Sequence, residues 1–370
     1  MIGYKSLSRV IWLFSSLIMA VGLVTLYSAS YNNSRVGRDI FYDQMWCALF
    51  ALLLMFLLSR LDYRKFFDIA YILYACNLLL LFWTDFGGRS ALGATRWIKL
   101  GGISFQPSEL TKLTVILMLG RYLSQRRPRL SFTFSSSIKT IWWDLMVPLG
   151  FIGVSVLLIF KQPDLGTAIL VMGIFIVMLF ASGIDLRVFA GFLGMAAMAL
   201  PFGWHILRQY QKDRLLVFLN PNIDPMGAGY TIIQSQIAVG SGGFWGKGWL
   251  SGSQNQLNFL PERHTDFIFS VVGEEWGLVG SVFVVFCYFM IIYSGLKMTE
   301  FVKDKFGQYV IVGIITIFTL QVVINIGMVM GMFPVVGITL PLISYGRTSF
   351  LVFSVMLGFL LNLCKKRSAF

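Results

Sequence analysis

Asp266 stands where a polar interval, Leu260-Pro261-Glu262-Arg263-His264-Thr265-Asp266, runs into an apolar one. A carboxylate at such a join can cap the helix that follows. It can also act as a general base toward a bound hydroxyl. The two roles pull its acidity in opposite directions. A helix N-terminus favours the ionised form, and a free aspartate near pKa ~3.9 is a poor base at neutral pH. Catalysis by Asp266 therefore requires desolvation or a neighbouring negative charge. Thr265 or Asp266 is the expected cap of the next helix. At 100° per residue, Glu274 and Glu275 project about 80° and about 180° away from Asp266. At most one of them shares a cavity with it, and the other needs a polar partner elsewhere.

Four further stretches carry residues that an apolar chain does not need. Gln106-Pro107-Ser108-Glu109 reads as a helix start with Ser108 as the cap. Glu109 and Lys112, three apart, then share one face of that helix. Ionisable residues entering a bilayer pair and face a cavity, and a local ion pair beside a cap is equally consistent. Lys161-Gln162-Pro163-Asp164-Leu165-Gly166 is a charged turn in which Asp164 is either a plain helix cap or a site residue. The run 240–248 places five glycines around Lys247. It is either a tight turn or a cradle of backbone N–H groups for an anion. It is not a P-loop, because alignment on Gly246-Lys247 puts Ser241 at the first glycine and Gly248 at the hydroxyl position. The stretch 331–349, with two prolines, several glycines and Ser344-Tyr345, resists a continuous helix. Such backbone is tolerated at a membrane surface where it lines a cavity.

The elements that must position these residues are membrane helices. Of 370 residues, 57% are hydrophobic and 13% charged, with mean hydropathy +0.75. Soluble domains run at about 45–50% apolar and about 25% charged. The apolar residues fall into ten candidate spans, roughly 10–29, 45–59, 67–85, 107–123, 145–160, 163–182, 185–204, 266–292, 308–330 and 346–364. All are expected to be helices, because unpaired backbone is too costly in lipid. The expectation is an all-α integral membrane protein of about ten transmembrane helices, a single polytopic domain over 1–370. The N-terminal apolar run after Lys5 and Arg9 imitates a signal peptide but reads as an uncleaved first helix.

The net charge of +13 is spread between the apolar runs, as in loops that orient a membrane protein, and does not point to nucleic acid. Arg126-Arg127-Pro128-Arg129 and Lys365-Lys366-Arg367 anchor the inner side. Both termini are then cytoplasmic, and 205–265 is an extracytoplasmic loop between helices seven and eight. The four cysteines form no close pair, and with two histidines no metal centre is expected.

QPSELTK, QPDLGTA, DPMGAGYTIIQSQIAVGSGG, GKGWLSGSQNQLNFLPERHTDFIF and LPLISYG, in that order over nearly the whole chain, resemble the motifs of the shape, elongation, division and sporulation (SEDS) family. The resemblance implies a ten-helix glycosyltransferase of the bacterial inner membrane that polymerises lipid II into β-1,4 glycan strands. It implies a class B penicillin-binding protein as partner, and an undecaprenyl-diphosphate-linked glycan as donor. Asp266 matches the family's essential aspartate in HTDF, next to His264. Glu109 and Lys112 match a central-cavity pair, Asp164 the aspartate of QPDLG, and Arg96-Trp97 a functional pair in an outer loop. Arg263, with Asn258-Phe259-Leu260 before it, resembles the elongation branch. Arg347 departs from the family's second glycine in SYGG, and Trp276 from the leucine of EELG.

Charge developing on a departing diphosphate needs cationic stabilisation. Arg96, Lys112, Arg208, Arg214, Lys247 and Arg263 are candidates, a bound divalent cation is the alternative, and no other cofactor is expected. A lipid II flippase and a non-catalytic scaffold are the rival functions. A transporter needs polar residues at mid-bilayer and on both faces, whereas here the polar loops gather outside.

Overall fold

The computed structural model describes residues 4–31, 34–87, 89–91, 94–100, 103–126, 142–184, 209–220 and 227–365, with isolated positions between 187 and 224. Among the described residues, six long apolar helices are each able to cross a bilayer. They are α1 (Tyr4–Ser30), α2 (Ser34–Leu58), α3 (Arg64–Gly87), α5 (Val147–Lys161, continued from a π-helical turn at Trp142–Met146), α10 (Ile268–Met298) and α11 (Lys305–Val329). Two shorter apolar helices, α6 (Leu165–Ala181) and α12 (Arg347–Lys365), complete the bundle with α4 (Pro107–Arg126). The chain is thus a multi-pass helical membrane protein. The expected span 185–204 lies almost wholly outside the described residues, as do Arg127-Pro128-Arg129.

α4 is the axis. It is polar at its outer end, yet nearly every residue from Pro107 to Leu123 is buried. It packs against α3, α5, α6, α11 and α12, while α1 lies along α10 and α2 along α12. This placement follows from solvent chemistry, since a helix carrying Glu109 and Lys112 cannot face acyl chains.

The outer face is built from smaller pieces. Three short strands pair antiparallel where only a polar loop was expected: β1 (Arg89–Ala91), β2 (Ala94–Leu100) and β3 (Ile103–Phe105). Ile98 pairs with Phe105 and Arg89 with Trp97. The polar interval before α10 contains helices α7 (Gln209–Leu219), α8 (Ala228–Ser241) and the single turn α9 (Ser253–Gln256).

The expected span 266–292 is corrected in two ways. The helix begins at Ile268 with Phe267 as its N-cap, and no side chain caps it. The Thr265 hydroxyl instead donates to the Glu262 carbonyl, 3.2 Å away. Second, α10 breaks at Gly277 (φ 64°, ψ −155°). Residues 278–298 rise about 31 Å, one hydrocarbon thickness. Asn325, twenty residues along the antiparallel α11, stands at about the same height of 30 Å. Asp266 touches Asn325, so the half-helix 268–276 runs across the outer face and adds little height. A straight helix would have carried Asp266 about 16 Å further out.

Candidate active site

Three consecutive carbonyls hold the turn that presents Asp266. The His264 carbonyl accepts from the Tyr345 N–H at 2.9 Å, that of Thr265 from the Ser344 hydroxyl at 2.6 Å, and that of Asp266 from Asn325 Nδ2 at 2.9 Å. The same Asn325 amide donates to the Ile338 carbonyl at 2.6 Å, and the Leu340 N–H donates to Ser344 Oγ at 2.7 Å. The turn is thereby sewn to the irregular loop before α12. Gly337 (φ 71°) leaves room beside the carboxylate, where a Cβ would lie 3.5 Å from Asp266 Oδ2.

Asp266 is relieved of the capping role, and its acidity follows its surroundings. Burial pushes the carboxyl up to about 6, and the Glu262 charge adds to this. Arg214 and Arg96 pull it back, and Asp164 raises it slightly. Desolvation therefore outweighs the helix end, and the carboxylate sits close to the range useful to a general base.

Asp164 joins three elements. It caps α6, accepting from Thr167 N at 3.3 Å and Thr167 Oγ1 at 3.0 Å. It also accepts from Ser108 Oγ at 3.0 Å and Gln106 Nε2 at 3.1 Å, which ties down the start of α4. Ser108 is thus inside the first turn of α4 and not its cap. Arg96 Nη1 stands 4.0 Å from Asp164, and its Nε donates to the Gln162 carbonyl at 2.8 Å. Trp97 is half-buried beside it on β2, on the opposite face by strand alternation.

Arg96, Gln211 and Arg214 line a cleft together with Pro163, Leu165 and Val336. Val336 adjoins Gly337 and hence the Asp266 carboxylate. Arg214, from α7, also donates to the Val335 carbonyl at 3.2 Å.

Glu109 and Lys112 pair at 2.7 Å. Lys112 also donates to Gln321 at 3.0 Å and lies 5.3 Å over the Phe353 ring. Gln321 Nε2 in turn donates to the Thr339 carbonyl at 2.9 Å, in the loop that holds Asp266. Below Lys112, α4 is apolar and closely packed.

The other candidates lie apart from the cleft. Arg263 is buried and donates to the Ala29 carbonyl at 2.8 Å, with its acidity raised by burial. His264 faces the Tyr345 ring at 6.1 Å, and burial lowers its pKa. Lys247 donates to Glu274 at 2.8 Å and Ser253 at 2.9 Å. Glu275 accepts from Ser28 and from Asn255, so both glutamates meet polar partners away from Asp266. Arg208 lies outside the described residues. Among the described residues, no three His, Cys, Asp or Glu side chains converge as metal ligands would.

The FtsW/RodA/SpoVE family of cell cycle proteins matches residues 8–369. The chain belongs to that family. The peptidoglycan glycosyltransferase MrdB of Escherichia coli (strain K12) is 38% identical over 353 residues, 94% of this chain and 92% of the relative. The probable peptidoglycan glycosyltransferase FtsW of Geobacter metallireducens is also 38% identical, over 95% of this chain and 93% of its own. A solved structure described as showing the structural coordination of polymerization and crosslinking by a peptidoglycan synthase complex superposes with TM-score 0.82 at 32% identity, covering 97% of this chain and 98% of that one. The crystal structure of Thermus thermophilus RodA, in an Asp-to-Ala variant, superposes with TM-score 0.71 at 30% identity, over 96% and 97%.

Within this FtsW/RodA/SpoVE chain, Arg347 forms an ion pair with Asp43 at 3.2 Å, bridging α12 to α2. Its positive charge at a helix N-terminus is unfavourable, and Asp43 offsets it. Asn325 and Gln321 were not picked out from the sequence, although a signal was there. Two amides spaced i, i+4 inside an apolar run mark one polar helix face that needs partners.

Proposed function

We propose that this chain is a peptidoglycan glycosyltransferase that polymerises lipid II, with Asp266 as the general base. The feature that carries the reading is the Thr265-Asp266 turn, whose backbone carbonyls accept from the Ser344 hydroxyl and Asn325 Nδ2, so that the Asp266 carboxyl, pushed up to about 6 by burial, lies beside a cleft lined by Arg96 and Arg214. Asp266 takes the proton of the acceptor's 4-hydroxyl. That oxygen attacks C1 of the donor sugar from the face opposite the diphosphate. The C1–O bond breaks, and its electron pair leaves with undecaprenyl diphosphate. One β-1,4 bond forms with inversion.

Arg96 and Arg214 receive the diphosphate charge in this scheme, because both line the cleft beside Asp266. Lys112, Lys247 and Arg263 are engaged with Glu109, Glu274 and the Ala29 carbonyl. Glu109, Lys112 and Asp164 act as positioning residues, since their bonds reach the start of α4 and the 338–349 loop. Trp97 and His264 lie apart from this cleft and take no part in the scheme. A bound divalent cation would be a further neutraliser of the diphosphate. A class B penicillin-binding protein as partner is supported by the likeness to a peptidoglycan synthase complex. The chain lies in the inner membrane with both termini cytoplasmic, a reading supported by its basic inner loops. The polar loops gather on one side of the apolar spans, which favours an enzyme over a flippase.

The test is glycan polymerisation from purified lipid II in detergent, with the partner's transpeptidase blocked. Polymer made by the parent and not by Asp266→Asn supports the reading, and near-parental activity in that variant overturns it.

A further inference from the structure

The glycine-rich run around Lys247 is not absorbed by this chemistry, and its backbone shows another use. It lies flat on the break in α10. A Cβ at Gly242 would come within 1.9 Å of the Gly273 carbonyl, and one at Gly246 within 2.2 Å of the Glu275 carbonyl. The segment is bonded to both halves of the broken helix. Lys247 N and Gly248 N donate to the Glu274 and Glu275 carbonyls, each at 3.0 Å. Leu278 N and Val279 N donate to the Gly243 and Phe244 carbonyls at 3.0 and 3.2 Å. The loop thus supplies the partners that the helix loses at its break. Its glycines serve close approach and leave little N–H capacity for an anion.

This tightly held segment turns aromatic side chains outward. Phe244 is 58% exposed, Trp245 77% and Trp249 51%. Two helices place it at one height. From the inner end of α10, Leu278 stands about 30 Å up. On α1, Trp249 Nε1 donates to the Val24 carbonyl at 3.5 Å and its ring stacks on Tyr27 at 5.8 Å. Val24 is nineteen residues above Lys5, about 29 Å. Both measures meet the outer edge of a hydrocarbon layer about 30 Å thick. Directly below, Leu278, Val279 and Val282 continue an exposed apolar face.

We propose that residues 243–249 are an outer-leaflet anchor, with Phe244, Trp245 and Trp249 seated in lipid at the boundary between acyl chains and headgroups. The chemistry fits the site. Indole rings partition to that boundary because one edge is apolar and the N–H is polar. The one charge of the loop, on Lys247, turns inward to Glu274. Lipid is the occupant favoured here because the aromatic patch is continuous with the lipid-facing side of α10. The anchor itself does not depend on the activity. Its consequence rests on the glycosyltransferase reading: the loop grips the half-helix that follows Asp266, so it sets the height of that carboxylate against the phosphates of a membrane-borne substrate.

The test is tryptophan fluorescence in nanodiscs of phosphatidylglycerol and phosphatidylethanolamine. One set carries bromine high on the acyl chains, another near their ends. Subtracting the spectrum of Trp245→Phe from that of the parent isolates Trp245, and equal melting temperatures establish that the variant is folded. The proposal expects the isolated emission to be quenched strongly by shallow bromine, weakly by deep bromine and little by aqueous iodide. Strong iodide quenching with no bromine effect overturns it. Protection that arises only after adding the penicillin-binding partner also overturns it, because the patch is then a protein-docking surface. The readout needs no turnover, so a chain that fails to polymerise lipid II still tests the anchor.

Discussion

Asp266 can serve as a base because it is not a cap. Phe267 takes the N-cap position, and the half-buried carboxylate is left beside the Glu262 charge. Asp266→Asn is therefore expected to keep parental thermal stability, with no loss of the about 1 kcal/mol that removing a true cap costs. Its polymerisation rate should fall about 10²–10⁴-fold. Lipid II turnover and thermal melting on the same preparations check both. The reactive form is the carboxylate, so kcat/KM should rise as pH rises through about 6 and level off above it. Removing the like charge with Glu262→Gln should move that limb to lower pH, measured as a pH–rate profile. For stability the sign is opposite. The folded chain holds a proton that the unfolded chain releases, so this group's stabilisation is full below about 4 and declines as pH approaches 6. Asp266, Glu109, Lys112 and Asp164 were legible as residue types out of place in an apolar chain. The cap was misjudged by one or two residues, because aspartate before an apolar run has the same signature whether it bonds the helix or only precedes it.

At the scale of elements, lipid makes sequences easy to read and the water-facing side makes them hard. Nine of the expected spans correspond to described helices, because a bilayer allows few alternatives to a helix. The sheet at 89–105 was not legible. Its outer strands have three residues each, too short to show alternation, and its pairing depends on the ends of α3 and α4 that it bridges. The break in α10 escaped for another reason. A lone glycine in an apolar run is ordinarily tolerated, and only the packed loop 242–248 reveals that Gly277 must adopt φ 64°. Gly277→Ala places a Cβ 2.3 Å from Gly246 N, in a backbone region open essentially to glycine alone. It should cost more than about 1–3 kcal/mol, seen as a lower melting temperature in detergent. Arg347→Gly, by contrast, removes a partly exposed ion pair and should cost less than about 1 kcal/mol by the same measurement.

At the scale of the molecule, one charged pair lies buried on α4, the helix at the centre of the bundle. Lys112 is 1% exposed and its partners are Glu109, Gln321 and the face of Phe353. Burying a pair costs desolvation that its mutual attraction only partly returns, so the pair is weak grounds for stability. Removing one member is different, because the other is left buried and uncompensated. Lys112→Met or Glu109→Gln alone should therefore destabilise the fold by about 3–5 kcal/mol, read as lost melting temperature and membrane yield. The double variant Glu109→Gln, Lys112→Met should recover most of that stability. Its activity then separates two reasons for keeping the pair. Lys112 reaches the Thr339 carbonyl through Gln321, and Asp266 is held by the same loop through Ile338 and Ser344. A positioning role thus predicts a stable double variant whose kcat falls while KM for lipid II changes little. A stable double variant with parental kcat would reduce the pair to packing and leave Asn325 and Ser344 as the supports of the catalytic turn.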